Sequence, residues 1–136
     1  IIGMGACTAS AYGEQYHLPG RFAPVASWRL LKQAVEEADS RGCRYQVGNI
    51  LSSDIFYCDD DQDLERWKKM NVLGVEMEAA ALYMNAARAG KDALAVCTVS
   101  NRIGEDAFLT PEDQKNAYRS MVEIALGVAV KESGEG

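Results

Sequence analysis

The chain alternates between short apolar runs and longer segments in which apolar residues recur every three to four positions. The first pattern is typical of buried strands, and it predicts strands over Ile1–Thr8, Cys43–Ser52, Val72–Glu76 and Ala93–Val99. The second pattern predicts helices from Trp28 to about Ser40, from Leu64 to about Met70, from Ala79 to Ala89 and after Thr110. Strands that alternate with helices along a chain indicate an α/β fold around a largely parallel sheet.

Capping signals support these helix boundaries. Ser27 is expected to cap the first helix, and Gly42 and Gly90 are expected to end the first and third, because glycine adopts the left-handed conformation readily. Thr110, followed by proline and two acids, is a typical start for the last helix.

The segment Ala9–Pro24 shows no periodic pattern of apolar residues and is predicted to be a loop. The side chains of the last helix that are expected to face inward are Tyr118, Met121, Val122, Ile124, Ala125 and Val128.

Two carboxylates, Glu76 and Glu78, stand at the junction of the third strand and the third helix. Burying a charge without a partner is costly, so this placement requires an explanation. One interpretation is a pair of exposed acids that are stabilised by the dipole of the helix. The other is a ligand clamp, because a carboxylate at a strand end can accept hydrogen bonds from two hydroxyl groups, such as the vicinal hydroxyls of a sugar.

Polar residues stand at the end of every predicted strand. They are Cys7-Thr8 for the first strand, Ser53–Tyr57 for the second, Glu76–Glu78 for the third and Ser100–Arg102 for the fourth. Ligands of open α/β sheets bind beyond the carboxyl ends of the strands. We therefore expect the four strand ends to share one rim and to form a pocket there.

The composition limits the classes of function. A net charge of −6 over 136 residues argues against a nucleic-acid or anionic-membrane surface, since both need clustered lysine and arginine. No apolar run in the sequence is long enough to cross a membrane. The acidic run Asp59–Asp61 lacks the spacing of a calcium loop and predicts a solvated loop, so no metal site is expected.

The cysteines and the first residues indicate the setting of the chain. The cysteines show no Cys-x-x-Cys spacing and are predicted to be reduced thiols of a cytoplasmic protein: Cys7, Cys43, Cys58 and Cys97. The single histidine, His17, lies in the predicted loop and is not expected to act as a base. The chain begins with Ile1 inside a predicted strand, so we expect a single domain over residues 1–136 that lacks its N-terminal part.

Four motifs occur in the order and register of a known family. They are Gly3-Met4-Gly5-Ala6-Cys7-Thr8, Val47-Gly48-Asn49 with Ser53-Asp54-Ile55-Phe56-Tyr57, Leu73-Gly74-Val75-Glu76-Met77-Glu78-Ala79-Ala80, and Cys97-Thr98-Val99-Ser100. Together they resemble the bacterial, hexameric class of purine nucleoside phosphorylases, and the resemblance covers nearly the whole chain. It implies the C-terminal portion of a three-layer sandwich around a mixed, largely parallel central sheet, with subunits assembled as a hexamer, a trimer of dimers.

The resemblance also implies a reaction and the residues that carry it. Phosphorolysis would convert a purine ribonucleoside or 2'-deoxyribonucleoside to the free base and a pentose 1-phosphate, with phosphate as co-substrate and no cofactor. Such an enzyme must stabilise a transition state that resembles an oxocarbenium ion while negative charge builds on the departing purine. Glu78 would bind the ribose hydroxyls, with Met77 packing on the sugar and Glu76 nearby. Phe56 would stack on the base, and the apolar base contacts would be Val75 and Ile103.

Two positions depart from the family pattern. Asn101 stands where the family has the aspartate that protonates the purine at N7, and Gln114 falls near the arginine that assists it. An amide donates a hydrogen bond but does not release a proton at neutral pH. Asn101 is accordingly assigned to the N7 side of the base, with Ser100 as a strand-end cap or a second base contact. By analogy with the trimeric class, which uses an asparagine there, we expect a preference for 6-oxopurine nucleosides over adenosine.

Two alternatives remain open from the sequence. Asn101-Arg102 also resembles uridine phosphorylases, although residues 58–69 are too few for the inserted base-reading segment of those enzymes. The other alternative is a non-catalytic nucleoside-binding relative, because a phosphate needs converging donors and Arg21, Arg29 and Arg102 are scattered. For the same reason we expect the 136 residues alone to be inactive. The expected partners are a purine nucleoside, phosphate and copies of the same chain, with neither nucleic acid nor membrane.

Overall fold

The computed structural model describes residues 1–57, 62–102 and 110–134, which form one four-stranded sheet with helices on both faces. The strands are β1 (Ile2–Thr8), β2 (Val47–Ser52), β3 (Val75–Glu76) and β4 (Ala95–Val96). Their order across the sheet is β3-β2-β1-β4. β1, β2 and β3 run parallel, whereas β4 pairs with β1 in the antiparallel sense. The predicted α/β fold around a mixed, largely parallel sheet is confirmed.

The helices of the described part follow the predicted pattern closely. They are α1 (Trp28–Ser40), α2 (Gln62–Lys69), α3 (Ala79–Ala89) and α4 (Pro111–Gly134). Gly42, with a φ of 62°, follows α1, and Gly90, with a φ of 64°, caps α3, as expected for left-handed helix ends. The Thr110 hydroxyl begins α4 by accepting a hydrogen bond from the backbone amide of Asp113 at 3.1 Å.

A β-bulge in β1 directs its side chains into two different cores. Met4 is an extra residue on β1, inserted where the ladder to β2 shifts between Gly3 and Gly5. Ile2 and Ala6 would share one face of a regular strand, but the extra residue places them on opposite faces of the sheet. Ile2 packs against α1 and α4, with Leu31, Ala34, Ala38, Ile124 and Val128. Ala6 packs against α3, with Ile50, Ala79, Ala80 and Tyr83.

The hydroxyl of Tyr83 in α3 joins β1 to β4. It donates to the carbonyl of Gly3 at 2.5 Å and accepts from the amide of Ala95 at 3.0 Å. A Cβ atom at Gly3 would lie 3.1 Å from this hydroxyl and 2.8 Å from Cδ1 of Ile50, so only glycine permits the close approach. Burial raises the pKa of the Tyr83 phenol above its ordinary value, which keeps the proton available for the Gly3 carbonyl.

The sheet departs from the prediction mainly at β4. The apolar run Ala93–Val99 predicted a strand covered on both sides, but the structure has a two-residue strand that pairs only with β1 and is half-buried. An apolar run indicates that a segment is buried, but it does not indicate how many strands lie beside that segment. β2 and β3 also begin later than predicted, at Val47 and Val75, because single backbone bonds rather than a continuous ladder precede them.

Two local features near the N-terminal half also differ from the prediction. Ala11–Tyr16 forms a short 3-10 helix inside the predicted loop, because the Ser10 hydroxyl accepts the amide of Tyr12 at 3.1 Å. Ser27 occupies the cap position of α1, but its side chain makes no capping hydrogen bond.

The last helix is amphipathic on a narrower face than predicted. Ile124 and Val128 are buried against α1 as expected. The residues predicted to face inward that are exposed instead are Tyr118, Val122 and Ala125. The reason is that α4 packs on α1 through one side only, which leaves a second apolar stripe, including Leu126 at 59% exposure, open in the described part.

Candidate active site

Three of the four predicted strand ends meet at one edge of the sheet. The ladder aligns Thr8 of β1 with Ser52 of β2, and Ser52 with Glu76 of β3. The hydroxyl of Thr8 donates to the carbonyl of Ser52 at 2.9 Å, and the amide of Ser53 donates to the carbonyl of Glu76 at 2.8 Å. The expected rim is therefore present for β1, β2 and β3. The carboxyl end of β4 instead leaves beside Ile1, because β4 runs antiparallel to β1.

Glu76 caps the N-terminus of α3. Its Oε2 atom accepts hydrogen bonds from the backbone amides of Glu78 at 2.8 Å and Ala79 at 2.7 Å. Its Oε1 atom accepts a hydrogen bond from the hydroxyl of Ser52, and that hydroxyl accepts one from the amide of Ala80 at 2.8 Å. Three amides that a helix start leaves without partners are satisfied in this way, and the negative charge is placed favourably in the helix dipole.

Glu78 differs from Glu76 although the two are separated by one residue. Glu78 occupies the cap position of α3, yet its side chain makes no capping bond. Its carboxylate is exposed, and within the described residues no hydrogen bond or ion pair involves its oxygens. The two interpretations of the acid pair therefore divide between the two residues: Glu76 serves the helix, and Glu78 keeps both oxygens available to an external donor.

The two carboxylates border an open cleft between α3, β4 and α4. The cleft has a volume of about 520 Å³ and is lined, apart from the carboxylates, mainly by apolar residues such as Leu82, Cys97 and Met121. Burial raises the pKa of the Cys97 thiol, and the nearby negative charge of Glu76 raises it further, so the thiol stays neutral. An apolar cleft with a few polar groups at one side is the usual form of a small-molecule site.

The loop after β2 carries the predicted aromatic residue. The hydroxyl of Ser53 donates a hydrogen bond to the carbonyl of Ile55 at 2.9 Å and accepts one from the amide of Ile55 at 3.2 Å. These bonds turn the chain directly after the strand. Phe56 is 75% exposed and meets Tyr57 edge-on, with ring centroids 4.8 Å apart. Because β2 and β3 are neighbours, this loop and Glu78 leave from adjacent strand ends.

The remaining predicted site residues are less closely grouped. Val75 and Met77 flank Glu76 and are 40% and 41% exposed. The hydroxyl of Ser100 donates to Oδ1 of Asn101 at 3.0 Å, so the two residues form a local pair after β4. The structure shows no bond between this pair and Glu76 or Glu78 in its described ranges. Ile103 lies outside the described residues, as do Cys58 and the acidic run 59–61.

Two contributors to the site escaped the sequence analysis. The sequence predicted Ser52 only as the end of a strand, and Cys97 only as a reduced thiol within a motif. No local signal marks Ser52, because its partners Glu76 and Ala80 are 24 and 28 positions away in the sequence. A polar residue as the last member of an apolar strand, opposite a carboxylate at the end of the next strand, is the signal that would have found it.

Arg29, one of the arginines considered above as donors to phosphate, is engaged in ion pairs in the described part. Arg29 bridges Asp92, at 2.6 Å, and Glu132, which ties α1 to α4 and to the loop before β4. Among the described residues no group of three or more His, Cys, Asp or Glu side chains could hold a metal ion. Cys7, Cys43 and Cys97 are free, half-buried thiols. None of the described helices combines the length and the apolar character that crossing a membrane requires.

These features define an α/β protein with a candidate ligand site at the carboxyl ends of parallel strands, where one carboxylate is committed to a helix cap and a second is open. The model of the phosphorylase superfamily matches residues 2–131. The chain belongs to this superfamily, and the resemblance inferred from the four motifs is confirmed.

Individual relatives agree with this assignment. The chain is 43% identical over 129 residues to a purine nucleoside phosphorylase DeoD-type of Clostridium novyi, covering 95% of the chain and 55% of the relative. It is 42% identical over 126 residues to the protein of the same name from Pectobacterium atrosepticum, covering 93% of the chain and 53% of the relative. For Clostridium beijerinckii the identity is 44% over 131 residues, with 96% and 55% covered. The chain thus spans about half the length of the curated relatives it matches.

Proposed function

We propose that this chain forms the sugar- and base-binding part of a purine nucleoside phosphorylase. In the reaction, the bond between the anomeric carbon and the purine nitrogen breaks, the purine leaves with its electron pair, and a phosphate oxygen bonds the anomeric carbon. The products are the free base and ribose or deoxyribose 1-phosphate. The single observation that carries the proposal is the open carboxylate of Glu78, held at a strand end beside an apolar cleft. The names of the relatives favour a purine over a pyrimidine substrate.

Glu78 is the group that accepts the sugar hydroxyls. An ionised carboxylate can accept two hydroxyl hydrogen bonds, and these are stronger than bonds between neutral groups. As positive charge develops on the sugar ring in an oxocarbenium-like transition state, a nearby negative charge becomes more favourable, which contributes to catalysis as well as to binding. Glu76 does not have the same freedom, since both of its oxygens already accept hydrogen bonds.

In this proposal the base is bound by the loop after β2 together with the segment after β4. Phe56 supplies an exposed ring on which a purine can stack, and Met77 covers the sugar. Val75 and Ile103 supply the apolar base contacts that the family resemblance implies.

The pairing of Ser100 with Asn101 favours a 6-oxopurine. With Oδ1 accepting from the Ser100 hydroxyl, the Nδ2 amino group of Asn101 is left to face a ligand as a donor. A 6-oxopurine presents two acceptors, N7 and O6, on one edge, whereas adenine presents N7 and an amino donor. A donor side chain matches the first edge at both atoms and the second at only one. We therefore infer that inosine and guanosine are better substrates than adenosine.

Phosphate is the co-substrate in this proposal, and no cofactor is required. We propose that the donors for phosphate lie beyond the described part of this chain or in a neighbouring subunit. Arg29, which forms ion pairs with Asp92 and Glu132, is not assigned to phosphate. We accordingly propose that residues 1–136 form part of one domain, that the chain alone is inactive and that the enzyme is a homo-oligomer, assembled as a hexamer. Unpaired thiols at Cys7, Cys43 and Cys97 favour a cytoplasmic setting.

Replacement of Glu78 by glutamine tests the proposal in the full-length polypeptide. The amide keeps the size of the side chain but loses the charge, so kcat/KM for inosine should fall by about tenfold or more. Glu65→Gln is the matched control, because Glu65 is exposed in α2 and, among the described residues, its carboxylate pairs only with Lys68, at 3.3 Å. Equal activity of the Glu78 variant and the control would exclude Glu78 as the sugar ligand.

A further inference from the structure

We propose that Ser52 is a positioning residue for Glu78, that it acts through Glu76, and that it thereby sets how strongly the site depends on sugar hydroxyls. The inference rests on the proposed function, because it assigns Ser52 a part in nucleoside binding. Ser52 itself is 5% exposed and lies beneath the start of α3, so it is not placed to touch a ligand.

The bonds of Ser52 account for both of its hydrogen-bonding roles. Its hydroxyl donates its one proton to Oε1 of Glu76 and accepts the amide of Ala80 at 2.8 Å. The second oxygen of Glu76 accepts the amides of Glu78 and Ala79. Ser52 and Glu76 thus form one connected cap that binds three successive amides at the start of α3.

The side chains that form this cap do not belong to the residue at the cap position, and this arrangement indicates a function. The residue at a helix cap position commonly uses its own side chain to bind the first free amides. Here the cap position is occupied by Glu78, and its side chain is not used for capping because Ser52 and Glu76 do that work. The arrangement holds the backbone of Glu78 while leaving its carboxylate open.

The backbone of Glu78 is held from both sides. Its amide donates to Glu76 at 2.8 Å, and its carbonyl accepts the amide of Leu82 at 2.9 Å as the first bond of the helix. The backbone of Glu76 is in turn fixed in the sheet, because its carbonyl accepts the amide of Ser53. If Ser52 loses its hydroxyl, Glu76 can rotate away from the helix, and the position of the Glu78 carboxylate becomes less well defined.

The experiment compares Ser52→Ala with Ser40→Ala in the full-length polypeptide. The Ser40 hydroxyl also makes a hydrogen bond, to the backbone carbonyl of Glu37 at 2.9 Å, but at the end of α1 and away from the site. The readout is kcat/KM for a purine ribonucleoside and for its 2',3'-dideoxy analogue, which lacks the hydroxyls that Glu78 accepts. We expect Ser52→Ala to lower kcat/KM by about tenfold for the ribonucleoside and only slightly for the analogue. Ser40→Ala should change neither value.

Two further variants keep the test decisive if Ser52→Ala fails to fold. Ser52→Thr retains the hydroxyl and is expected to retain the ratio of the two kcat/KM values. Ser52→Cys replaces the hydroxyl by a weaker donor and acceptor of similar size, and is expected to lose the ribonucleoside preference. If Ser52 had only a structural role, its replacement would lower the fraction of active enzyme, and kcat/KM would fall by the same factor for both substrates. That result would overturn the proposal.

Amide hydrogen exchange separates this proposal from the proposed function. Ser52→Ala should speed exchange at the amides of Glu78, Ala79 and Ala80 without affecting α1, and unchanged exchange there would overturn the proposal. If the unaltered enzyme acts on no nucleoside, the proposed function fails, and the exchange measurement alone decides whether Ser52 holds the start of α3.

Discussion

Replacement of Tyr83 by phenylalanine is expected to lower the free energy of unfolding by about 2–4 kcal/mol. The variant keeps the ring but removes the hydroxyl that donates to Gly3 and accepts from Ala95. The Gly3 carbonyl is buried and the Ala95 amide is half-buried. Each buried group left without a partner costs about 1–3 kcal/mol, and the half-buried one belongs at the lower end of that range. The loss is a large share of the roughly 5–15 kcal/mol that stabilises a typical protein.

Urea unfolding of Tyr83→Phe beside Tyr45→Phe measures this cost. The Tyr45 hydroxyl makes an exposed bond to Asp39 at 2.8 Å, so its removal should change the free energy of unfolding by no more than about 0.5 kcal/mol. Amide exchange at Ala95 should also become faster in Tyr83→Phe, because β4 is paired with β1 through only two residues. Equal, small effects of the two substitutions would refute the argument that the buried hydroxyl joins β4 to β1.

The pH dependence of the same variant gives an independent check. Burial raises the pKa of Tyr83 above the ordinary value of 10.0, so the folded state favours the protonated phenol. This contribution to stability is fully present below pH 10.0 and is lost as the pH rises through the raised pKa. The unaltered protein and Tyr83→Phe should therefore differ less in their free energy of unfolding as the pH rises through the raised pKa than they do below pH 10.0.

Three further predictions concern α4, the contact between α1 and α4, and the base site. Gly127→Ala should fail to give the gain of about 1 kcal/mol that is usual for this change in a helix, since a Cβ there would lie close to the Glu37 carboxylate. Gly134→Ala, which would meet no described residue within 4 Å, should be neutral or stabilising in thermal unfolding. Lys131 holds the pKa of Glu37 below its ordinary value of 4.5, so the stability that this ion pair contributes above pH 4.5 should be lost as the pH falls through the lowered pKa. Glu37→Gln should lose less stability over the same range of pH. Identical acid unfolding curves of the two proteins would contradict this. Asn101→Asp should raise kcat/KM for adenosine relative to inosine by about tenfold, and an unchanged ratio in parallel assays would argue against the base assignment.

Local signals were sufficient to predict the helices but not the neighbours of every strand. α3 has the predicted bounds because both of its ends are encoded nearby, by the acids before it and by Gly90 after it. β4 differs because the length and burial of a strand depend on what pairs with it, and the apolar run Ala93–Val99 carries no such information. The bulge at Met4, which sends Ile2 and Ala6 to different cores, was equally invisible to a simple alternation rule.

The site shows the same limit. The spacing of Glu76 and Glu78 revealed an unusual acid pair but could not assign the cap to one and the open position to the other. That assignment depends on Ser52, which reaches Glu76 only through the pairing of β2 with β3. Residue type indicated which groups the strand ends could offer to a ligand, and the register of the sheet determines which of the two carboxylates is left open.

The most direct test of the account is release of base by the full-length polypeptide, with inosine, adenosine and uridine compared with and without phosphate. The account predicts that hypoxanthine is released from inosine only when phosphate is present, faster than adenine from adenosine, and that uridine is a poor substrate. Preferential release of uracil would indicate a uridine phosphorylase. Release of no base from any of the three, together with a thermal shift on adding nucleoside, would identify a binding protein and contradict the proposed phosphorolysis.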